Sequence, residues 1–260
     1  MNPQQLRTTA EQAALIGGAI LQEWAGKITP KEKSPKNLVT EADFASQQAI
    51  SEFLTRECPG HDFLGEEDCG PAAILSDYRW IVDPLDGTSN YVHRFPFYAV
   101  SVGVEYRSQL VAGAIFDPTR SEMFAASLGD GATLNGQPIE PSATDPLASA
   151  LVIASLPVKT SPESAEVRRF LKVLTRAQSL QRTGSAALNL CYVAAGRMDA
   201  FWSTSLKPWD MAAGVLILTE AGGRVTAING GPFNVDVSDL LASNGHALHG
   251  ELASLLPTET

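Results

Sequence analysis

The stretch from Trp80 to Asn90, WIVDPLDGTSN, runs from three apolar residues into two aspartates, a proline, a glycine and two hydroxyls. Trp80, Ile81 and Val82 have the composition of a short buried strand. Asp83 then stands at the strand's carboxyl end, where α/β proteins commonly hold ligands. Pro84 fixes the chain's direction and Gly87 permits close backbone approach. Thr88, Ser89 and Asn90 suit the opening of a short helix whose unbonded N–H groups attract an anion. A turn would need only Asp-Gly or Pro. Two carboxylates three positions apart, at the end of a strand that cannot bury charge without partners, point to a metal and phosphate site; a plain Asp-Gly turn is the alternative. An EF-hand does not fit, because the twelfth position counted from Asp83 is Arg94 where a bidentate Glu is needed.

Two further acidic clusters precede this one. In FLGEED, Phe63 and Leu64 lead into Glu66 and Glu67; in LVTEAD, Asp43 follows Thr40 by three residues. A solvated loop accounts for the first pair and a capping box for Asp43, so both readings stay open. Oxygen ligands without His or Cys favour Mg²⁺ or Mn²⁺ over zinc. Carboxylates around a phosphate can hold two such ions about 3.5–4 Å apart for in-line displacement.

The remaining pattern predicts a mixed α/β chain. Leu6, Ala10, Ala13, Ala14, Gly17, Leu21 and Trp24 recur at helical spacing, ending near Gly26, and a second helix is predicted from Thr40 to before Pro59. YAVSVGVEYR alternates strictly and is followed by LVAGAIFD, a β-hairpin; MFAAS and the segments flanking Asn135-Gly136 add strands. After PSATDP the order becomes strand, helix, helix, strand, helix, strand. The expected division is an α+β half, residues 1–145, carrying most acids, and an α/β half, residues 146–260.

The chain has 260 residues, 44% apolar and 18% charged, with a net charge of -10. The acidity excludes nucleic acid and anionic lipid as partners for any surface without a basic patch. The densest basic segment, Lys27 to Lys36, also holds Glu32 and two prolines, and is expected as a solvated loop. No apolar run is long enough to cross a membrane, and the N-terminus lacks the pattern of a secretory signal, so a cytoplasmic location is expected. Cys58, Cys69 and Cys191 are odd in number and without a CxxC pair, which argues against disulfides or structural zinc.

FLGEED, WIVDPLDGTSNYVHRFPF and LKPWDMAAGVLILTEAGG, in this order and spacing and with LVTEAD and RTGSAALNL, closely resemble the inositol monophosphatase family of Mg²⁺-dependent, lithium-sensitive phosphatases. The resemblance spans essentially the whole chain. It implies a layered αβαβα sandwich, a homodimer, and hydrolysis of myo-inositol monophosphate with two or three Mg²⁺ ions. Glu66, Asp83 and the Leu85 carbonyl match the first metal's ligands; Asp83, Asp86 and Asp210 match the second's, and Glu66 faces a third ion. Thr88, paired with Asp43 and assisted by Glu66, matches the group that activates the attacking water. Asp86, Gly87, Thr88, Gly184, Ser185, Ala186, Ser203 and Asp210 match positions around the substrate, although a plain helix cap also accounts for Gly184-Ser185. Trp209 and His93 are expected to pack rather than react.

The chain departs from the family pattern at Ser203, where many members carry a Glu that holds inositol hydroxyls. Weaker discrimination for inositol monophosphate over simple phosphates is therefore expected. Phosphatases of histidinol phosphate, fructose 1,6-bisphosphate or adenosine 3',5'-bisphosphate, and a regulatory binding protein of the same fold, are the alternatives. An aspartyl-phosphate mechanism usually needs DxD after a strand, whereas this strand ends D-P-L-D.

Overall fold

The computed structural model describes residues 1–34, 37–67 and 76–256. Helix α1 (Pro3–Trp24) starts at Asn2, whose side chain accepts from the Gln5 N–H while the Gln5 side chain bonds back, and it buries Leu6, Ala10, Ala13, Ala14 and Leu21. Strands β1 (Lys31–Ser34) and β2 (Asn37–Val39) then pair antiparallel. This corrects the expectation of a loop over Lys27 to Lys36 in part: Lys27 to Pro30 carry no regular structure, as expected, and Pro35 and Lys36 lie outside the described residues, but Lys31 to Ser34, though exposed as composition suggests, form a strand through their ladder to Asn37–Val39. Helix α2 (Glu41–Glu57) follows, capped by Thr40.

The first sheet has seven strands in the order β3 (Asp62–Gly65), β4 (Tyr78–Asp86), β5 (Ala99–Tyr106), β6 (Gln109–Asp117), β7 (Glu122–Ser127), β8 (Ala132–Leu134) and β9 (Gln137–Pro138). Only β3 and β4 run parallel. The short helix α3 (Thr88–Val92) leads from β4 to β5. Asn135 and Gly136, both at positive φ, make the tight turn between β8 and β9.

The chain enters a second, five-stranded sheet at β10 (Leu151–Ala154). It continues through α4 (Ala165–Leu174), β11 (Ser179–Gln181), α5 (Ala186–Ala194), β12 (Ala200–Ser203), α6 (Pro208–Glu220), β13 (Arg224–Thr226), β14 (Leu240–Ser243) and α7 (Ala247–Leu255). The order is β11-β10-β12-β14-β13, with β10 parallel to both β11 and β12. The strands β11 and β14 and helix α7 were not expected from sequence. β11 has three residues in a polar stretch, β14 has four, and Gly250 interrupts the propensity of α7.

The elements stack as helices, sheet, helices, sheet, helices. Val100, Val102 and Val104 of β5 pack with Leu6, Leu21 and Ile50 of α1 and α2. On the other face Ile115 and Phe124 join α5 and α6, which also meet Phe201, Leu240 and Ala242 of the second sheet. Trp202 and Leu241 cover the far side with Leu248, Leu252 and Leu256. Helix α6 is buried between two sheets, so Met211 to Leu218 are all buried and no polar stripe marks it. Gly103 and Gly113 are partners across β5 and β6. A Cβ on Gly113 would lie 2.9 Å from Ala213 Cα, and one on Gly103 would lie 3.0 Å from Ala212 Cβ, so the two glycines let α6 lie directly on the sheet.

Among the described residues no helix is long and apolar enough to cross a membrane. Cys58 and Cys191 are buried free thiols, and Cys69 lies outside the described residues.

Candidate functional site

The parallel pairing of β3 and β4 ends at Gly65 and Val82, and each strand then delivers an acid: Glu66 follows Gly65, its N–H bonded to the Val82 carbonyl at 3.2 Å, and Asp83 follows Val82. Residues 83 and 86, three apart, would point to opposite faces of a regular strand. Between them, however, β4 slips against β5: Asp83 faces Ser101 and Asp86 faces Ala99, one extra residue on β4. Such a bulge returns both carboxylates to the same side. The Leu85 N–H bonds Asp83 Oδ1 at 3.0 Å and holds the bend.

Gly87, at φ 95, turns the chain into α3; a Cβ there would meet the Phe97 carbonyl at 3.0 Å. Thr88 Oγ1 lies 3.2 Å from Asp43 Oδ1 and 3.1 Å from the Leu85 carbonyl. Asp43 uses its other oxygen to cap α2, accepting from Thr40 N–H at 2.8 Å and Thr40 Oγ1 at 2.7 Å. The capping box and a contact to Thr88 therefore coexist on one carboxylate.

Asp210 arrives from α6, where its carboxylate accepts the Lys207 N–H at 2.7 Å. Oxygens of Asp83, Asp86 and Asp210 all lie within 4.8 Å of one another. Burial pushes the Asp83 carboxyl well above its usual range, and the charges of Glu66, Asp86 and Asp210 add to this. Burial raises Asp86 to about 6, against hydrogen bonds from Ser185 and Ala187, and raises Asp210 to about 8, with the Asp86 charge adding. Glu66 and Asp43 are also raised, chiefly by burial. Carboxylates this close ionise together only beside positive charge. The donor set is all hard oxygen and suits a divalent cation of the Mg²⁺ kind, which Asp83, Asp86 and Asp210 could hold; the Glu66 charge acts on Asp83, and Leu85 lies in the same bend of β4, its carbonyl accepting from Thr88 Oγ1.

Ser185 caps α5, and its hydroxyl donates to Asp86 Oδ2 at 2.5 Å while the Ala187 N–H donates to the same oxygen at 2.7 Å. Both Ser185 and Asp86 are buried, so this serine holds a carboxylate of the cluster. A cavity of about 260 Å³ opens beside the acids; Asp86, Gly87, Thr88, Gly184, Ala186 and Asp210 contribute to its wall. Ser203 does not line it. It is fully buried on β12, and its hydroxyl accepts the Ser205 N–H at 3.4 Å.

The site also contains residues that the sequence did not suggest. Lys33 of β1 bonds Glu66 Oε1 at 3.0 Å and Glu67 Oε1 at 2.6 Å. Ser155, Arg182 and Ser205 line the same cavity. The available signal for Ser155 and Ser205 was their place just beyond the predicted strands that form β10 and β12; Arg182 follows β11, which the sequence does not predict, and Lys33 had no signal, since its partners are 33 and 34 residues away. Trp209 packs with Ile81 and Ala212, and its carbonyl accepts from Ser101 Oγ at 3.3 Å.

The sequence profile of the inositol monophosphatase family matches residues 2–260. An inositol-1-monophosphatase of Synechocystis sp. is 37% identical, the alignment covering 98% of this chain and 91% of the relative. A fructose-1,6-bisphosphatase/inositol-1-monophosphatase of Aquifex aeolicus is 38% identical over 92% of this chain and 90% of its own. Among solved structures, the extragenic suppressor protein SuhB of Bartonella henselae superimposes with a TM-score of 0.92 at 34% identity, covering 98% of this chain and 100% of that one.

Proposed function

Because the chain belongs to the inositol monophosphatase family and is a phosphoric monoester hydrolase, we propose that it converts myo-inositol monophosphate to inositol and phosphate by direct attack of water, with two or three Mg²⁺ ions as cofactors. The observation that carries this reading is the meeting of Asp83, Asp86 and Asp210, from two different layers, beside the start of α3. Bound at these carboxylates, the cations would neutralise phosphate charge and acidify the attacking water.

The chain's own groups supply the rest. Thr88 Oγ1 donates to Asp43 and keeps lone pairs free to accept a hydrogen bond from the water, while Glu66 orients it from the end of β3. The Gly87 and Thr88 N–H groups, at the start of α3, would hold phosphate oxygens. Ser185 and the Ala187 N–H keep Asp86 aimed, and Gly184 and Ala186 border the polyol. The roles divide between residues 1–145, with most of the acids, and residues 146–260, which bring Asp210 and the substrate wall.

A phosphate-release screen over small phosphomonoesters, with and without Mg²⁺, tests the reading; hydrolysis in labelled water should put the label in phosphate with inversion and no phosphoenzyme. A trapped acyl-phosphate on Asp83 would refute it. The same reading carries a cytoplasmic location, inhibition by lithium and a homodimer, the last checked by sedimentation.

A further inference from the structure

Three strands of the second sheet run side by side in one direction, β11, β10 and β12. Their carboxyl ends are followed at once by cavity-lining residues: Arg182 after β11, Ser155 after β10, and Ser205 two residues after β12. In open α/β sheets this edge is where ligands lie. Of the three, Arg182 is the residue whose chemistry is most selective. It is the only basic residue among the described residues lining the cavity. The protein carries a net charge of -10, and Arg7, Arg79, Arg120 and Arg197 are each paired with a carboxylate. Arg182 forms no ion pair with any described residue.

The backbone presenting it is held on both sides. Asn90 Nδ2, from α3, donates to the Thr183 carbonyl at 2.9 Å and to the Phe97 carbonyl at 2.7 Å. Thr183 Oγ1 bonds the buried Asn189 side chain of α5 at 2.5 Å. Arg182 thus sits between strand β11 and a turn tied to the helix at which the reacting phosphate is placed. A guanidinium so presented offers a planar fork of donors suited to a carboxylate or phosphate.

We infer that Arg182 is a specificity-determining residue that binds a second anionic group, a carboxylate or a phosphate, on the organic part of the substrate, with the Ser155 and Ser205 hydroxyls beside it on the same shelf. This rests on the phosphatase reading above. It differs from the expectation placed on Ser203, which is buried away from the cavity.

The test compares the parent protein with Arg182→Gln and Arg182→Lys on three esters: glycerol 2-phosphate, 3-phosphoglycerate with its carboxylate, and fructose 1,6-bisphosphate with its second phosphate. An ester that is not turned over is measured as a competitive inhibitor of inositol monophosphate hydrolysis. Relative to glycerol 2-phosphate, Arg182→Gln should weaken at least one doubly charged ester by about 10- to 100-fold, mainly in KM or Ki, with Arg182→Lys between. The salt dependence of that KM or Ki should flatten in Arg182→Gln, a change that a folding defect would not produce. Loss confined to 3-phosphoglycerate identifies a carboxylate as the partner, and loss confined to fructose 1,6-bisphosphate identifies a phosphate. Unchanged ratios for both esters in Arg182→Gln overturn the inference. If the parent releases phosphate from no ester at all, including inositol monophosphate, the phosphatase reading itself falls.

Discussion

Asp210 reaches the other acids only because α6 lies directly on the first sheet, and Gly113→Ala tests that contact. The added Cβ would sit 2.9 Å from Ala213 Cα and 3.1 Å from Ala213 Cβ. Ordinary contact begins at 3.4 Å, so helix and sheet must separate by about half an ångström at a backbone atom that cannot rotate away. Overpacking of this kind costs about 1–3 kcal/mol. Ala213 is less than one helical turn from Asp210, so the carboxylate moves with it. A site tolerates misplacement of about 0.5 Å, and a shift approaching 1 Å can cost about 100-fold in rate. The expected result is a loss of about 1–3 kcal/mol in urea unfolding, a raised Mg²⁺ concentration for half activity, and a fall in kcat of about 10- to 100-fold. The Gly136→Ala control, where a Cβ would meet nothing within 4 Å, should leave Mg²⁺ dependence intact although its positive φ costs stability. If Gly113→Ala matches the parent in stability and Mg²⁺ dependence, the close approach of α6 does not set the geometry.

Four other outcomes are expected. Asp210→Asn should lower phosphate release by more than about 100-fold, since even residues that only support a metal ligand cost about 10- to 100-fold; chelation should abolish parent activity and added Mg²⁺ should restore it. Ser185→Ala leaves Asp86 one hydrogen bond short, so Mg²⁺ affinity by titration calorimetry should fall about 10- to 100-fold. His249 is buried between Ser243 Oγ at 2.8 Å and Thr226 Oγ1 at 3.0 Å, and burial lowers it from 6.5 to about 4. Its folded pKa lies below the unfolded one, so its stabilising contribution is present above pH 6.5 and is lost as the pH falls toward 4. Between pH 7 and 4.5 the parent should lose about 2 kcal/mol more than His249→Gln in urea unfolding, and parallel profiles would refute this.

The local part of this protein was legible because its signals are local. The capping box at Thr40, the alternation along β5, the Asn135-Gly136 turn and the run WIVDPLDGTSN each need only neighbouring residues, and each forms the predicted element. The acids Glu66, Asp83, Asp86 and Asp210 could be picked out by type and by family resemblance. Their meeting, however, was decided by tertiary structure. The bulge that turns Asp83 and Asp86 to one side is a register slip against β5, which no property of β4 alone specifies. Helix α6 hides its orientation because Met211 to Leu218 are apolar on every side, so its packing between the two sheets, with the close contact to Gly103 and Gly113, fixes where Asp210 points. Lys33 looked like one of several loop lysines until the β1–β2 ladder carried it to Glu66 and Glu67. Ser155, Arg182 and Ser205 are scattered through 51 positions of chain. They share a cavity because three short strands run parallel, and pairing between distant strands is set by packing of both sheet faces rather than by the strands' own residues.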